Sequence, residues 1–139
     1  MDMENYYNIL IDTNFFFLPF YENIDIIEEI KKILETNHIL NYRLVTLKKN
    51  IWEIENLMNK AKSEKWKKIY NLVLNYIRKN NIDVLESEIE ERTDRLIVKF
   101  ALSNKNTIVC TQDKILRKIL RKLDIPVIFY SHKSLHILW

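Results

Sequence analysis

Short, nearly continuous apolar runs alternate with longer helical patterns, and this alternation most constrains what the chain can fold into. The runs cover residues 8–12, 43–47, 82–85, 107–111 and 126–130. They are rich in Ile, Val and Leu and do not alternate with polar residues, as expected of parallel strands covered on both faces. Between them, Ile26, Ile27, Ile30, Ile33 and Leu34 recur at helical spacing over 24–34, and similar stripes run through 48–60, 63–79, 87–104 and 113–123. Strand–helix alternation with right-handed crossovers predicts an α/β fold, a three-layer α/β/α sandwich around a central parallel sheet. The third strand is the least marked, because two helices in a row precede it. A last run, 135–139, reads as an edge strand or an apolar tail.

The length, 139 residues, fits one domain over 1–139, and 47% hydrophobic residues suffice for an ordinary core. Glycine is absent. That excludes a glycine-rich phosphate loop and leaves the left-handed turns to Asn and Asp, as at Asn80-Asn81 and Asn104-Lys105-Asn106. The net charge of +3 is compatible with a polyanionic partner. The lone cysteine, Cys110, can form no internal disulfide and points to a reducing compartment. The opening MDMENYYN does not resemble a signal peptide, and no apolar run would span a bilayer. These features lead us to expect a cytoplasmic protein with no membrane partner.

The stretch NILIDTNFFFLPF, residues 8–20, places a carboxylate, Asp12, at the end of an apolar strand. A buried carboxylate is costly unless hydrogen-bonded, protonated or paired with a cation. In open parallel sheets, ligands bind beyond the carboxyl ends of the strands. Asp12 is at one such end, and Asp113 follows another. Asp94 precedes Ile97, Val98 and Ala101 and so lies toward the buried stripe of its helix. Glu53 and Glu55 flank the stripe of theirs on opposite sides; periodicity does not choose between them, and Glu90 is a third candidate. Carboxylates converging at one edge repel one another unless a divalent cation joins them. Oxygen ligands without His or Cys favour Mg²⁺ or Mn²⁺ over Zn²⁺. Such a site can activate water and stabilise charge on a phosphodiester.

These segments carry a family resemblance. ILIDTNFFFLPF resembles the opening motif of PIN domains, in which an Asp ends the first strand. IWEIENL resembles their second acidic motif, TDRLIVKFAL the third, and IVCTQDKILRKILRKLDIPVIFY the last. The motifs occur in order and cover nearly the whole chain. They are most similar to those of archaeal PIN proteins that resemble VapC toxins and ribosome-assembly nucleases. The resemblance implies a PIN-like fold and a Mg²⁺- or Mn²⁺-dependent ribonuclease. Asp12, Glu53, Asp94 and Asp113 would be the catalytic metal cluster, Thr111 a supporting polar residue, and Asn14 a group ordering the first acid. It further implies RNA as substrate and an antitoxin or a ribosome-assembly partner. A homodimer through Leu18-Pro19-Phe20 and Ile137-Leu138-Trp139 would also fit. Arg95 departs from the pattern, standing where relatives often carry a second acid. It would contact phosphate or weaken metal binding, and it invites the rival reading of a catalytically weak or inactive RNA-binding or scaffold protein on the same fold.

Each acid also has an ordinary structural role open to it. Asp12 or Thr13 can cap a helical turn over 14–18, and Asp113 the helix that follows it. Asp94 suits a helix first turn, and Glu53 an exposed helix face. Lys114, Arg117, Lys118 and Arg121 crowd the helix after Asp113, where they could track an RNA backbone. A second basic cluster surrounds Trp66. It reads more simply as a solvated face with its aromatic in the core, although Trp66 or Tyr70 could stack on a base. His132 and His136 read as structural, and Cys110 as a small core residue.

Overall fold

The structure, a computed structural model, describes residues 6–139; the first five, part of the opening stretch weighed above as a signal peptide, lie outside them. β1 (Tyr7–Ile11) runs into a 3₁₀ turn (Thr13–Phe17) and the short α1 (Leu18–Tyr21). Then come α2 (Ile26–Thr36), β2 (Tyr42–Leu47), α3 (Lys48–Lys60), α4 (Glu64–Lys79) and β3 (Asp83–Leu85). The chain continues with α5 (Thr93–Ser103), β4 (Thr107–Cys110), α6 (Lys114–Lys122), β5 (Val127–Ser131) and β6 (Ser134–Leu138). The strands form one sheet in the order β3-β2-β1-β4-β5-β6. All neighbours are parallel except β5 and β6, so the final apolar run is an antiparallel edge strand.

Period-two alternation sorts the strands between two cores. Ile9 and Ile11 of β1, Ile108 and Cys110 of β4 and Ile128 of β5 pack with α2, α3, α4 and the 3₁₀ turn. Leu10, Val109 and Val127 point the other way and pack with Leu96, Ile97 and Ala101 of α5 and Leu116 and Leu120 of α6. This is the three-layer α/β/α sandwich expected from the sequence. Full burial of each such aliphatic side chain contributes about 1.5–3 kcal/mol, and the sheet supplies both cores with them. No helix among the described residues is long and apolar enough to cross a membrane.

One helix differs from expectation. The pattern over 87–104 predicted a helix throughout, but α5 begins only at Thr93. The preceding loop is held by α3. Ser87 Oγ accepts from the Lys49 backbone N–H (2.9 Å), and the Ile89 carbonyl accepts from the buried Lys49 ammonium. Backbone and side-chain groups that a helical turn would occupy are satisfied across the fold instead.

Turns behave largely as a glycine-free chain requires. Asn23, Asn81, Asn106 and Asp124 take positive φ, and so do His38, His132 and Lys133. The β5–β6 hairpin turn is His132 (φ 51°) and Lys133 (φ 65°). A two-residue hairpin of this hand wants positive φ at both positions, which suits Asn-Gly far better than His-Lys. Each non-glycine residue there costs on the order of 1 kcal/mol. Lys133→Gly is therefore expected to stabilise the protein by about 0.5–1 kcal/mol, raising Tm by about 2–4 °C. Urea unfolding measures it, and a lower midpoint for the variant would contradict the strained-turn account.

Candidate active site

The strand order reverses between β1 and β4, and a crevice opens at their carboxyl ends, where open α/β sheets bind ligands. The cleft has a volume of about 340 Å³. Its lining includes Asp12, Glu53, Asp94 and Asp113, with Thr13, Asn14 and Thr93, and an apolar wall of Phe17, Leu57 and Leu116. All four acids of the sequence motifs therefore face one depression. Glu55 and Glu90, the alternatives to Glu53, are exposed elsewhere and do not line it.

Asp12 forms the floor and is only 6% exposed, although it is a carboxylate. Its Oδ1 accepts from the Thr13 backbone N–H (2.8 Å) and from Asn50 Nδ2 (3.2 Å), and its Oδ2 from the Thr111 hydroxyl (2.8 Å). No cationic side chain among the described residues pairs with it. Burial pushes its carboxyl up to about 6; the Glu53 and Asp113 charges add to the rise, and the bonds from Thr111 and Thr13 oppose it. Asp12 also caps the 3₁₀ turn. The structural role and a place at the cleft thus coexist in one side chain.

The other three acids are held differently. Glu53 Oε1 accepts from the Thr13 hydroxyl (2.6 Å), whose oxygen in turn accepts from Asn50 Nδ2 (2.9 Å). Asp113 caps α6 through Oδ1, which accepts from Ile115 and Leu116 N–H (2.9 and 3.0 Å), leaving Oδ2 without a partner among the described residues. Asp94, on the first turn of α5, is half-buried and paired with Arg92, Nη2 to Oδ2 at 3.0 Å. Its Oδ1 accepts from the Arg95 backbone N–H (2.9 Å).

Thr111 joins the elements: besides bonding Asp12, its oxygen accepts from the Asp113 N–H (3.1 Å). Asn14 accepts from the Gln112 N–H (3.2 Å) and reaches Thr111 only at 3.5 Å, so it acts on Asp12 at one remove. Asn50 was missed from the sequence. It is fully buried, and its Oδ1 accepts from the Leu47 N–H (3.0 Å) while its Nδ2 serves Asp12 and Thr13. The signal available was its place three residues before Glu53, on the same helical face. Arg95 is exposed, and it is the Arg92 side chain that meets Asp94. None of Arg95, Lys114, Arg117, Lys118 and Arg121 lines the cleft, and Arg117 lies over the Phe129 ring at 4.2 Å.

A family model described as a PIN like domain matches residues 9–133. The chain belongs to the PIN-like domain family. Ribonuclease VapC4 of Methanocaldococcus jannaschii is 31% identical to it over 129 residues, covering 92% of this chain and 93% of that protein. The PIN domain endonuclease Utp24 superposes with a TM-score of 0.76 at 22% identity, over 94% of this chain and 90% of that one, which establishes a shared fold.

The cleft of this PIN-like domain suits a hard divalent cation chemically. Its donors are carboxylate and hydroxyl oxygens, and its floor is a buried acid with no cationic partner among the described residues. As they stand, no three Asp, Glu, His or Cys side chains among the described residues are close enough together to hold an ion. The cation would have to draw the rim acids inward over Asp12. His132 and His136 stay apart from the cleft in the β5–β6 hairpin, where His136 Nε2–H donates to the Ser131 carbonyl (2.9 Å).

Proposed function

We propose that this PIN-like domain, acting as one unit over 1–139, is a ribonuclease that hydrolyses RNA phosphodiester bonds with Mg²⁺ or Mn²⁺. Asp12, Glu53, Asp94 and Asp113 would hold the ion. The observation that carries the reading is the buried Asp12 carboxylate, uncompensated by any cation among the described residues, beneath three further acids lining the same cleft. The name of the VapC4 relative, a ribonuclease, supports it. A bound ion would supply Lewis acidity toward the phosphate and lower the pKa of a coordinated water.

The chain's own residues would set the geometry. Thr111 and Asn50 fix both Asp12 oxygens, and Thr13 orients Glu53. Asp113 offers Oδ2 while its other oxygen caps α6. Arg92, already beside Asp94, would move to a phosphate oxygen when the ion takes the carboxylate. An antitoxin or ribosome-assembly partner, implied by the resemblance, belongs to the same reading, with the α6 cations and Arg95 as candidate backbone contacts.

A second reading, an RNA-binding or scaffold protein without cleavage, is favoured by the Arg92–Asp94 pair, which neutralises one of the four acids. Incubating structured and single-stranded RNA with the protein in EDTA, Mg²⁺ and Mn²⁺ separates the two. We expect cleavage only with metal, lowered at least about tenfold in Asp94→Asn, since losing even a residue that orients a metal ligand typically costs about ten- to a hundredfold. RNA binding without cleavage in either metal would favour the second reading. Undiminished cleavage in EDTA would remove the metal altogether.

A further inference from the structure

Trp66 contradicts its sequence reading as a core aromatic: it is 38% exposed, and Tyr21 beside it is 59% exposed. The two belong to a group of four rings. Phe17 stacks on Tyr21 (centroids 6.0 Å, planes 19° apart) and meets Tyr70 edge-on (5.8 Å). Trp66 meets Tyr21 edge-on (6.4 Å) and lies against Tyr70 (5.9 Å). Phe17 is buried and also forms part of the cleft wall. The group therefore leads from the acidic cleft out to solvent.

Its surroundings are strongly cationic. Residues 60–68 carry five lysines, Lys60, Lys62, Lys65, Lys67 and Lys68, against one acid, Glu64. All are exposed, and Lys67 pairs with Glu64 only across a solvated 3.7 Å. Lys65 and Lys67 leave α4 about 100° to either side of Trp66, so positive charge borders its face of the helix on both sides. An apolar protein partner would leave these charges unmatched, whereas a strand of phosphates with bases free to stack matches both features.

Resting on the ribonuclease reading, we propose that Tyr21 and Trp66, backed by Phe17 and Tyr70 and flanked by Lys65 and Lys67, form a base-stacking platform. It receives a single-stranded segment of RNA beside the scissile phosphate. The enzyme would thereby favour unpaired RNA over duplex, because paired bases offer no free faces.

The test compares binding of a short fluorescein-labelled single-stranded RNA with the same RNA annealed to its complement, in EDTA, by anisotropy. Metal-dependent cleavage is assayed in parallel. Trp66→Leu keeps apolar packing but has no π face, and Trp66→Phe keeps a face. We expect tighter binding of the single strand, about a tenfold loss in Trp66→Leu, and much less in Trp66→Phe. Lys65→Ala with Lys67→Ala should lower the salt slope for single strands by about 1.4, which neither Trp66 variant does. Equal binding by wild type and Trp66→Leu, or equal affinity for duplex, overturns the platform; if wild type still cleaves, the ribonuclease reading survives. Loss of binding in Trp66→Leu with no cleavage by wild type sinks the ribonuclease and keeps the platform. Self-association abolished by Trp66→Leu with RNA binding unchanged would assign the patch to a second copy and overturn it too.

Discussion

Asp12→Asn is expected to reduce metal-dependent RNA cleavage at least about a hundredfold while leaving the metal-free protein at least as stable as wild type. Metal Lewis acidity contributes several kcal/mol to such reactions, and each tenfold in rate is about 1.4 kcal/mol. The substitution is isosteric. Oδ1 still accepts from Thr13 and Asn50, and the Thr111 hydroxyl can turn to accept from the new amide. What disappears is a buried negative charge. Because the folded protein holds this carboxyl up to about 6 against an ordinary 3.8, it keeps a proton that the unfolded chain has released. Below about pH 4 both states are protonated and the group contributes nothing to the balance. Stability is then lost as pH rises toward 6, and above 6 the full cost is on the order of 3 kcal/mol. In EDTA, wild type should therefore fall behind Asp12→Asn as pH rises from 4 to 6.5. Added Mn²⁺ should raise the Tm of wild type near neutral pH and leave the variant unmoved. Thermal unfolding across pH, with and without Mn²⁺, reads both effects. Cleavage by the variant at the wild-type rate would remove Asp12 from the metal site.

Phe15→Ala should cost about 3–5 kcal/mol, the usual price of a large aromatic removed from a closed core. Phe15 is fully buried among Ile9, Ile11 and the α2–α4 residues, and its N–H donates to the Asp12 carbonyl (3.1 Å). A loss of this size lowers Tm by about 10–15 °C for a chain of this length. Phe15→Leu, which leaves a smaller cavity, should cost less than half as much. The 3₁₀ turn carries Thr13 and Asn14 to the cleft, so the alanine variant should also bind Mn²⁺ more weakly at temperatures where it remains folded. Urea unfolding with calorimetric Mn²⁺ titration measures the two. A cost under about 1 kcal/mol would mean that the turn is not anchored through this ring.

The sequence by itself determined the layered α/β architecture, because continuous apolar runs and helical stripes are local patterns that backbone geometry converts directly into strands and amphipathic helices. It also put Asp12 and Asp113 at strand ends, since a polar residue closing an apolar run marks where the strand leaves the core. The tertiary structure alone decided what distant segments do to one another. It brought Glu53 to the cleft and left Glu55 and Glu90 outside, because the choice turns on how α3 rotates against β1 and the 3₁₀ turn. It recruited Asn50 to Asp12 across 38 positions, and it bonded Thr111, expected only as a supporting residue from the family resemblance, to Asp12 across 99; helical spacing puts Asn50 on the face of Glu53 but does not say what either residue meets. It delayed α5 to Thr93, because α3 captured Ser87 and Ile89 first. And it left Trp66 at solvent although Trp66 shares the helical face of Val73 and Ile77, because at the first turn of α4 its ring meets Tyr21 and Tyr70, while the buried residues of the helix lie further along it.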